Sequence, residues 1–140
     1  MRTLGIDYGQ KRIGLAITDE LTFMAHPLKV ISSSNGISEI KKILKEYENI
    51  QKIVVGLPVN LKGKVAFKAK QVMEWVKKLK EEVEIPVVTW DERFSTKEAE
   101  DFLIELDTSR KKRKKVIDKL AARAILQDFI DATREKNGPK

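Results

Sequence analysis

Cysteine is absent from all 140 residues, and histidine occurs once, at His26. The first absence excludes disulfides and thiolate metal sites. The second leaves no material for a histidine-based triad or a zinc site. Long apolar runs are missing too, so no membrane span or signal peptide is expected, and the cytoplasm is the default location. Outside one window the chain also lacks net charge. Eight basic residues and one acid, Asp118, stand between Arg110 and Arg123, and this window carries the whole formal charge of +7. An otherwise neutral chain with a single cationic segment looks built to meet a polyanion.

What is present suits one folded unit. Hydrophobic residues make up 41% and charged residues 35%, which reads as globular, and a single domain over residues 1–140 with one continuous core is expected. No internal repeat or linker interrupts it. Thr3, Gly5 and Asp7 alternate with Leu4, Ile6 and Tyr8 at the period of a strand. Gly9-Gln10-Lys11 makes a turn, Ile13 to Thr18 a second strand, and His26 to Ile31 a third, with Pro27 suiting an edge or a strand start. After the polar stretch Ser32 to Gly36 the period changes. Ile37, Ile40, Leu44 and Tyr47 share a helical face, Ile53-Val54-Val55 is a buried strand, and Val65, Ala69, Val72, Met73, Val76 and Leu79 mark a longer helix. Pro86 to Trp90 is a strand. Ala99, Phe102, Leu103 and Leu106 predict a helix capped by Ser95 or Thr96. Arg110 to Lys115 has no apolar period and reads as a loop, and a last helix is expected from about Val116 to about Thr133. Three leading strands suit an antiparallel meander, and the later alternation suits parallel strands. The expected fold class is α/β, a mixed five-stranded sheet flanked by helices.

Three acids stand where the pattern predicts something else. Asp7 ends the first strand. Asp91 and Glu92 follow the strand Val87 to Trp90, at the carboxyl end where ligands sit in open α/β sheets. Asp118 lies at the centre of a helical stripe with Ala121, Ala122, Ile125, Leu126 and Phe129, a costly place for an ionised group unless it is paired or holds a metal. Singly, each has a structural alternative: Asp7 as a hairpin cap, Asp91 as a turn residue, Asp118 as a helix N-cap. Together, carboxylates from three elements suit a hard-cation site for Mg²⁺ or Mn²⁺. Like charges so gathered should strain the metal-free protein, and Asp118→Asn is expected to relieve it. Trp75 and Trp90 read as core or core-edge residues. Gly56 to Asn60 reads as a strand-to-helix loop, in which Asn60 is either a phosphate contact or a turn residue.

The segments GIDYGQKRIGLAITDE (Gly5 to Glu20), GLPVN (Gly56 to Asn60), DERFST (Asp91 to Thr96) and IDKLAARAILQDFI (Ile117 to Ile130) resemble the YqgF family. They stand in the family's order and spacing and cover nearly the whole chain. The resemblance implies an RNase H-like fold and a nuclease, described both as a Holliday junction resolvase and as an enzyme maturing the small-subunit ribosomal RNA precursor. By position it makes Asp7, Glu92 and Asp118 the catalytic and metal-holding acids. It has Arg12 brace the first hairpin and Arg93 face phosphate or a nearby carboxylate. Leu61 to Phe67 departs from the family, which usually has Gly and then small and acidic residues there.

The expected partner is nucleic acid, either a structured RNA precursor, with pre-ribosomal particles in view, or branched DNA. Lys111, Lys112, Arg113, Lys114 and Lys115 are expected to grip its backbone. No membrane partner is expected. A junction resolvase needs a two-fold dimer, and no sequence feature marks such an interface, so a monomer or weak homodimer is expected. Two other classes compete. A non-catalytic RNA-binding assembly factor is disfavoured by acids at a phosphate-binding surface. An actin-like ATPase shares the opening Asp-x-Gly but needs two such domains.

Overall fold

The computed structural model describes residues 1–19, 24–58, 64–92 and 110–137. Alternation in the opening segment decides how the layers stack. In β1 (Arg2–Tyr8), Leu4 and Ile6 are fully buried in one core while Gly5 and Asp7 belong to the opposite sheet face. β1 is central. It pairs antiparallel with β2 (Arg12–Thr18) and parallel with β4 (Ile50–Pro58). β3 (Ala25–Ser32) lies antiparallel outside β2, and β5 (Val87–Glu92) lies parallel outside β4. The order β3-β2-β1-β4-β5 is the expected mixed five-stranded sheet. Pro27 sits on β3, the edge position that tolerates a residue without an N–H.

Two helices cover the face of Leu4 and Ile6. α1 (Gly36–Glu46) contributes Ile40 and Ile43, and α2 (Lys64–Glu82) contributes Val72, Val76 and Leu79. Trp75 joins this core at 7% exposure, stacked at 4.7 Å on Tyr8. Met73, expected on the buried side, is 49% exposed instead. The buried arc of α2 centres on Val72 and Leu79, and at 100° per residue Met73 falls on its flank. The other sheet face carries α3 (Arg110–Asn137), whose Ala122, Leu126 and Ile130 pack on Ala16 and Ala25.

Three expected boundaries move. Gly56, Leu57 and Pro58 are strand rather than loop, paired with Trp90, Asp91 and Glu92. Glycine there is a packing device, because Ile125 fills the space its side chain would take. Asp91 and Glu92 consequently end β5 rather than follow it. The basic run from Arg110 to Lys115 is the opening of α3 rather than a loop. Lys and Arg are good helix formers, and a missing apolar stripe says only that these turns have nothing to bury. The helix expected around Ala99 to Leu106 lies outside the described residues. Among the described residues no helix is long and apolar enough to cross a membrane.

Candidate active site

The site is set by how closely α3 comes down on β2. A Cβ at Gly14 would collide with the backbone carbonyl of Asp118, so the helix rests on the strand backbone itself. Gly14 is the register partner of Asp7. Asp118 is therefore held over the strand pair that carries Asp7, on the same sheet face and at the carboxyl end of β1. Asp118 belongs to the inward stripe with Ala121, Ala122 and Ile125 and lies well inside α3. This excludes the N-cap alternative for it.

Arg12 completes the cluster. Its Nε donates to Asp118 Oδ2 at 2.7 Å, with the two side chains 36% and 22% exposed. Arg12 thus does more than brace its hairpin: it ties the hairpin to α3. The charge-assisted bond also gives the half-buried carboxylate a cation, which offsets the repulsion expected among the acids. The turn before Arg12 is held from the other side. Ser33 N–H donates to Lys11 O at 3.1 Å, Ser33 Oγ donates to Gln10 O, and Gln10 Nε2 donates to Gln71 Oε1 at 3.1 Å.

The third acid is approached through β5. Trp90 Nε1 donates to Asp128 Oδ2 at 2.8 Å, and the Trp90 ring meets Phe129 edge-on at 5.4 Å. These contacts fasten the end of β5 to α3. Glu92 follows two residues later, its backbone opposite Pro58 at the same carboxyl end of the sheet. Its side chain is outside the described residues. Asp91 has the alternation of Val87, which is buried in the α1–α2 core, and so sits on the face away from Asp7.

Asp7, Arg12 and Asp118 are thus brought together, while Asn60 and Arg93 lie outside the described residues. Lys111, Lys112, Arg113, Lys114 and Lys115 are placed by backbone on the first turns of α3, and their side chains are likewise outside the description. Among the described residues no group of three or more potential metal ligands gathers. The chemistry of the two placed acids nevertheless fits a hard divalent ion, since both offer carboxylate oxygens at one end of the sheet. The Arg12–Asp118 pair was beyond sequence reasoning: its partners are 106 positions apart and share no local period.

Comparison with known proteins adds three findings. The family model described as "RuvX: Holliday junction resolvase" matches residues 1–132. Curated proteins named "Putative pre-16S rRNA nuclease" are similar over nearly their full length. That of Caldanaerobacter subterraneus subsp. tengcongensis is 46% identical over 138 residues, covering 96% of this chain and 99% of the relative. That of Geobacillus kaustophilus is 45% identical, covering 96% and 100%. Among solved structures, Thermus thermophilus RuvC superposes with a TM-score of 0.59 at 14% identity, covering 96% of this chain and 97% of that one. A Fowlpox virus resolvase solved with Holliday junction DNA also gives 0.59 at 14% identity, covering 95% and 99%. At these identities the likeness is one of fold, the RNase H-like fold of the resolvases.

Proposed function

Since the chain belongs to the family described as RuvX, Holliday junction resolvase, we propose that it is a nuclease hydrolysing nucleic-acid phosphodiesters, acting in the cytoplasm on the small-subunit ribosomal RNA precursor. The observation that carries this reading is the approach of α3 at Gly14, which holds Asp118 and its Arg12 partner over the Asp7 strand pair. Full-length similarity at 43–46% identity to relatives named for the ribosomal RNA precursor supports the choice of substrate. The family's own description favours the second reading, four-way DNA junctions.

In this proposal Asp7, Glu92 and Asp118 hold Mg²⁺ or Mn²⁺. A divalent ion bound there supplies water activation and stabilises the leaving oxygen. The chain's own residues do the positioning. Arg12 fixes the Asp118 carboxylate and keeps a cation beside the acids. Trp90, through Asp128 and Phe129, holds the end of β5 that leads to Glu92. The basic opening turns of α3 attract the substrate backbone.

The test is direct cleavage. Purified protein is incubated with Mg²⁺ or Mn²⁺ and either a structured ribosomal RNA precursor or a four-way junction, with Asp7→Asn alongside. Metal-dependent cutting of the RNA that Asp7→Asn loses is the expected result. Cutting of the junction alone selects the second reading. Binding without cutting, independent of divalent ions, overturns the nuclease reading in favour of an RNA-binding factor.

A further inference from the structure

A second cationic feature, separate from the basic opening of α3, lies on the outer side of the Arg12–Asp118 pair. A groove of about 430 Å³ runs between the edge strand β3 and α3. Lys11 from the β1–β2 turn, Arg12 from β2 and Lys119 from α3 line it together with the β3 segment Leu28 to Ser32, and among the described residues no acid does. Three elements thus contribute one cation each to one groove, whereas Lys29, the register partner of Leu15, leaves β3 on the face of the α1–α2 core.

The helix geometry explains how Lys119 comes to be there. Lys119, Arg123 and Gln127 are spaced four apart and form one stripe along α3. Arg123 Nε donates to the Ala25 carbonyl at 3.1 Å, and Gln127 Oε1 accepts from the Ala25 N–H at 2.9 Å. These two bonds clamp the stripe to the start of β3. One turn earlier, the same stripe delivers Lys119 to the groove opposite Leu28 to Ser32. Arg12 is shared: its Nε holds Asp118, and it also lines the groove.

We infer that this groove is a phosphate track, in which Lys11, Arg12 and Lys119 take the backbone of one nucleic-acid strand as it leaves the acid cluster. The inference rests on the nuclease reading and extends it to how the substrate is held. Leu28 to Ser32 spans about 13 Å of extended strand at about 3.3 Å per residue, room for a short run of backbone phosphates. Arg12, joined at once to Asp118 and to the track, is the positioning residue that sets the register between bound phosphates and the acids. Substrate then runs through the site, with the β3 edge on one side and the opening turns of α3 on the other.

The test measures binding on an Asp7→Asn background with Mg²⁺, so that substrate stays intact. A single-stranded RNA oligonucleotide and its duplex are titrated between 50 and 200 mM salt. The variant Lys11→Ala/Lys119→Ala removes two track contacts. The slope of log Kd against log salt should fall by about 1.4 on the single strand and about 1.8 on the duplex. Over that fourfold salt range the parent should therefore lose about 7- to 12-fold more affinity than the double variant. A control, Lys70→Ala/Lys77→Ala, removes the same charge from the exposed side of α2 and should leave the slope unchanged. If the double variant fails to melt cooperatively, Lys11→Glu alone, on the exposed turn, must weaken binding. An unchanged slope in the track variant, an equal change in the α2 control, or unaltered binding by Lys11→Glu overturns the track while leaving the nuclease reading intact. A parent protein that binds neither RNA overturns the track together with the ribosomal RNA precursor as substrate.

Discussion

Replacing Gly14 with alanine tests whether the site depends on the closeness of α3 to β2. The added Cβ would lie well inside van der Waals contact of the Asp118 carbonyl. That oxygen belongs to the helix backbone and cannot rotate aside, so α3 must retreat by about 1 Å or more to restore a normal separation. Overpacking of this kind costs about 1–3 kcal/mol. Alanine returns about 0.5–1 kcal/mol through its lower backbone entropy in a strand, leaving a net loss of about 0.5–2 kcal/mol. With an unfolding entropy of about 2.1 cal/mol/K per residue over 140 residues, the melting temperature should fall by about 2–7 °C. Gly56→Ala is the matched control. There the new Cβ meets Cδ1 and Cγ1 of Ile125, side-chain atoms that can shift where a helix backbone cannot, so the loss should be smaller than in Gly14→Ala. Cleavage should separate the two more sharply than stability does. A shift of about 1 Å at Asp118 is enough to slow turnover about 100-fold, although every carboxylate remains. Thermal melts and single-turnover cleavage of both variants decide the matter. Wild-type melting and cleavage in Gly14→Ala, or equal losses in Gly56→Ala, would refute the close-approach account.

Asp7→Asn should abolish cleavage with an unchanged circular dichroism spectrum, since it keeps the side-chain shape while removing a charged ligand; near-normal turnover would sink the assigned site. Metal should stabilise the wild type by mass action, by about 2.7 kcal/mol at a hundredfold excess over Kd, and so raise its melting temperature, and Asp118→Asn should lose most of that gain. In the absence of metal the pairing with Arg12 reverses the expectation drawn from sequence. Asp118→Asn strips a half-buried guanidinium of its anion and should be less stable by about 1 kcal/mol after allowance for solvent screening, melting lower accordingly, and a higher melting point with EDTA would show that repulsion among the acids dominates after all. Neutralising Lys111, Lys112, Arg113, Lys114 and Lys115 should flatten the salt dependence of binding by about 0.7 per lost contact on single strands and about 0.9 on duplex, whereas an unchanged slope would mark them as a solvated helix end.

Local pattern was sufficient for much of this protein. Alternation in residues 3–8 placed Asp7 at the end of a strand on the face opposite Leu4 and Ile6, and the change from antiparallel to parallel pairing followed from element types and chain-connection rules. The 3.6-residue period put Asp118 on the inward stripe of the last helix. These features repeat within a few residues, so the sequence alone carries them, and four ordered motifs carried the family. The basic opening of α3 was misread because apolar periodicity reports burial rather than helicity, and Lys and Arg turns bury nothing. Gly56 and Pro58 looked like loop punctuation, yet Gly56 is a strand residue emptied to admit Ile125. Only the tertiary structure decided that Asp118 pairs with Arg12, that Gly14 is the seat of α3, and that Lys11 and Lys119 share one groove. Each of these depends on how far a helix descends onto a sheet laid down about a hundred residues earlier. That distance is set by the side chains missing between the two layers, and it leaves no period in either segment.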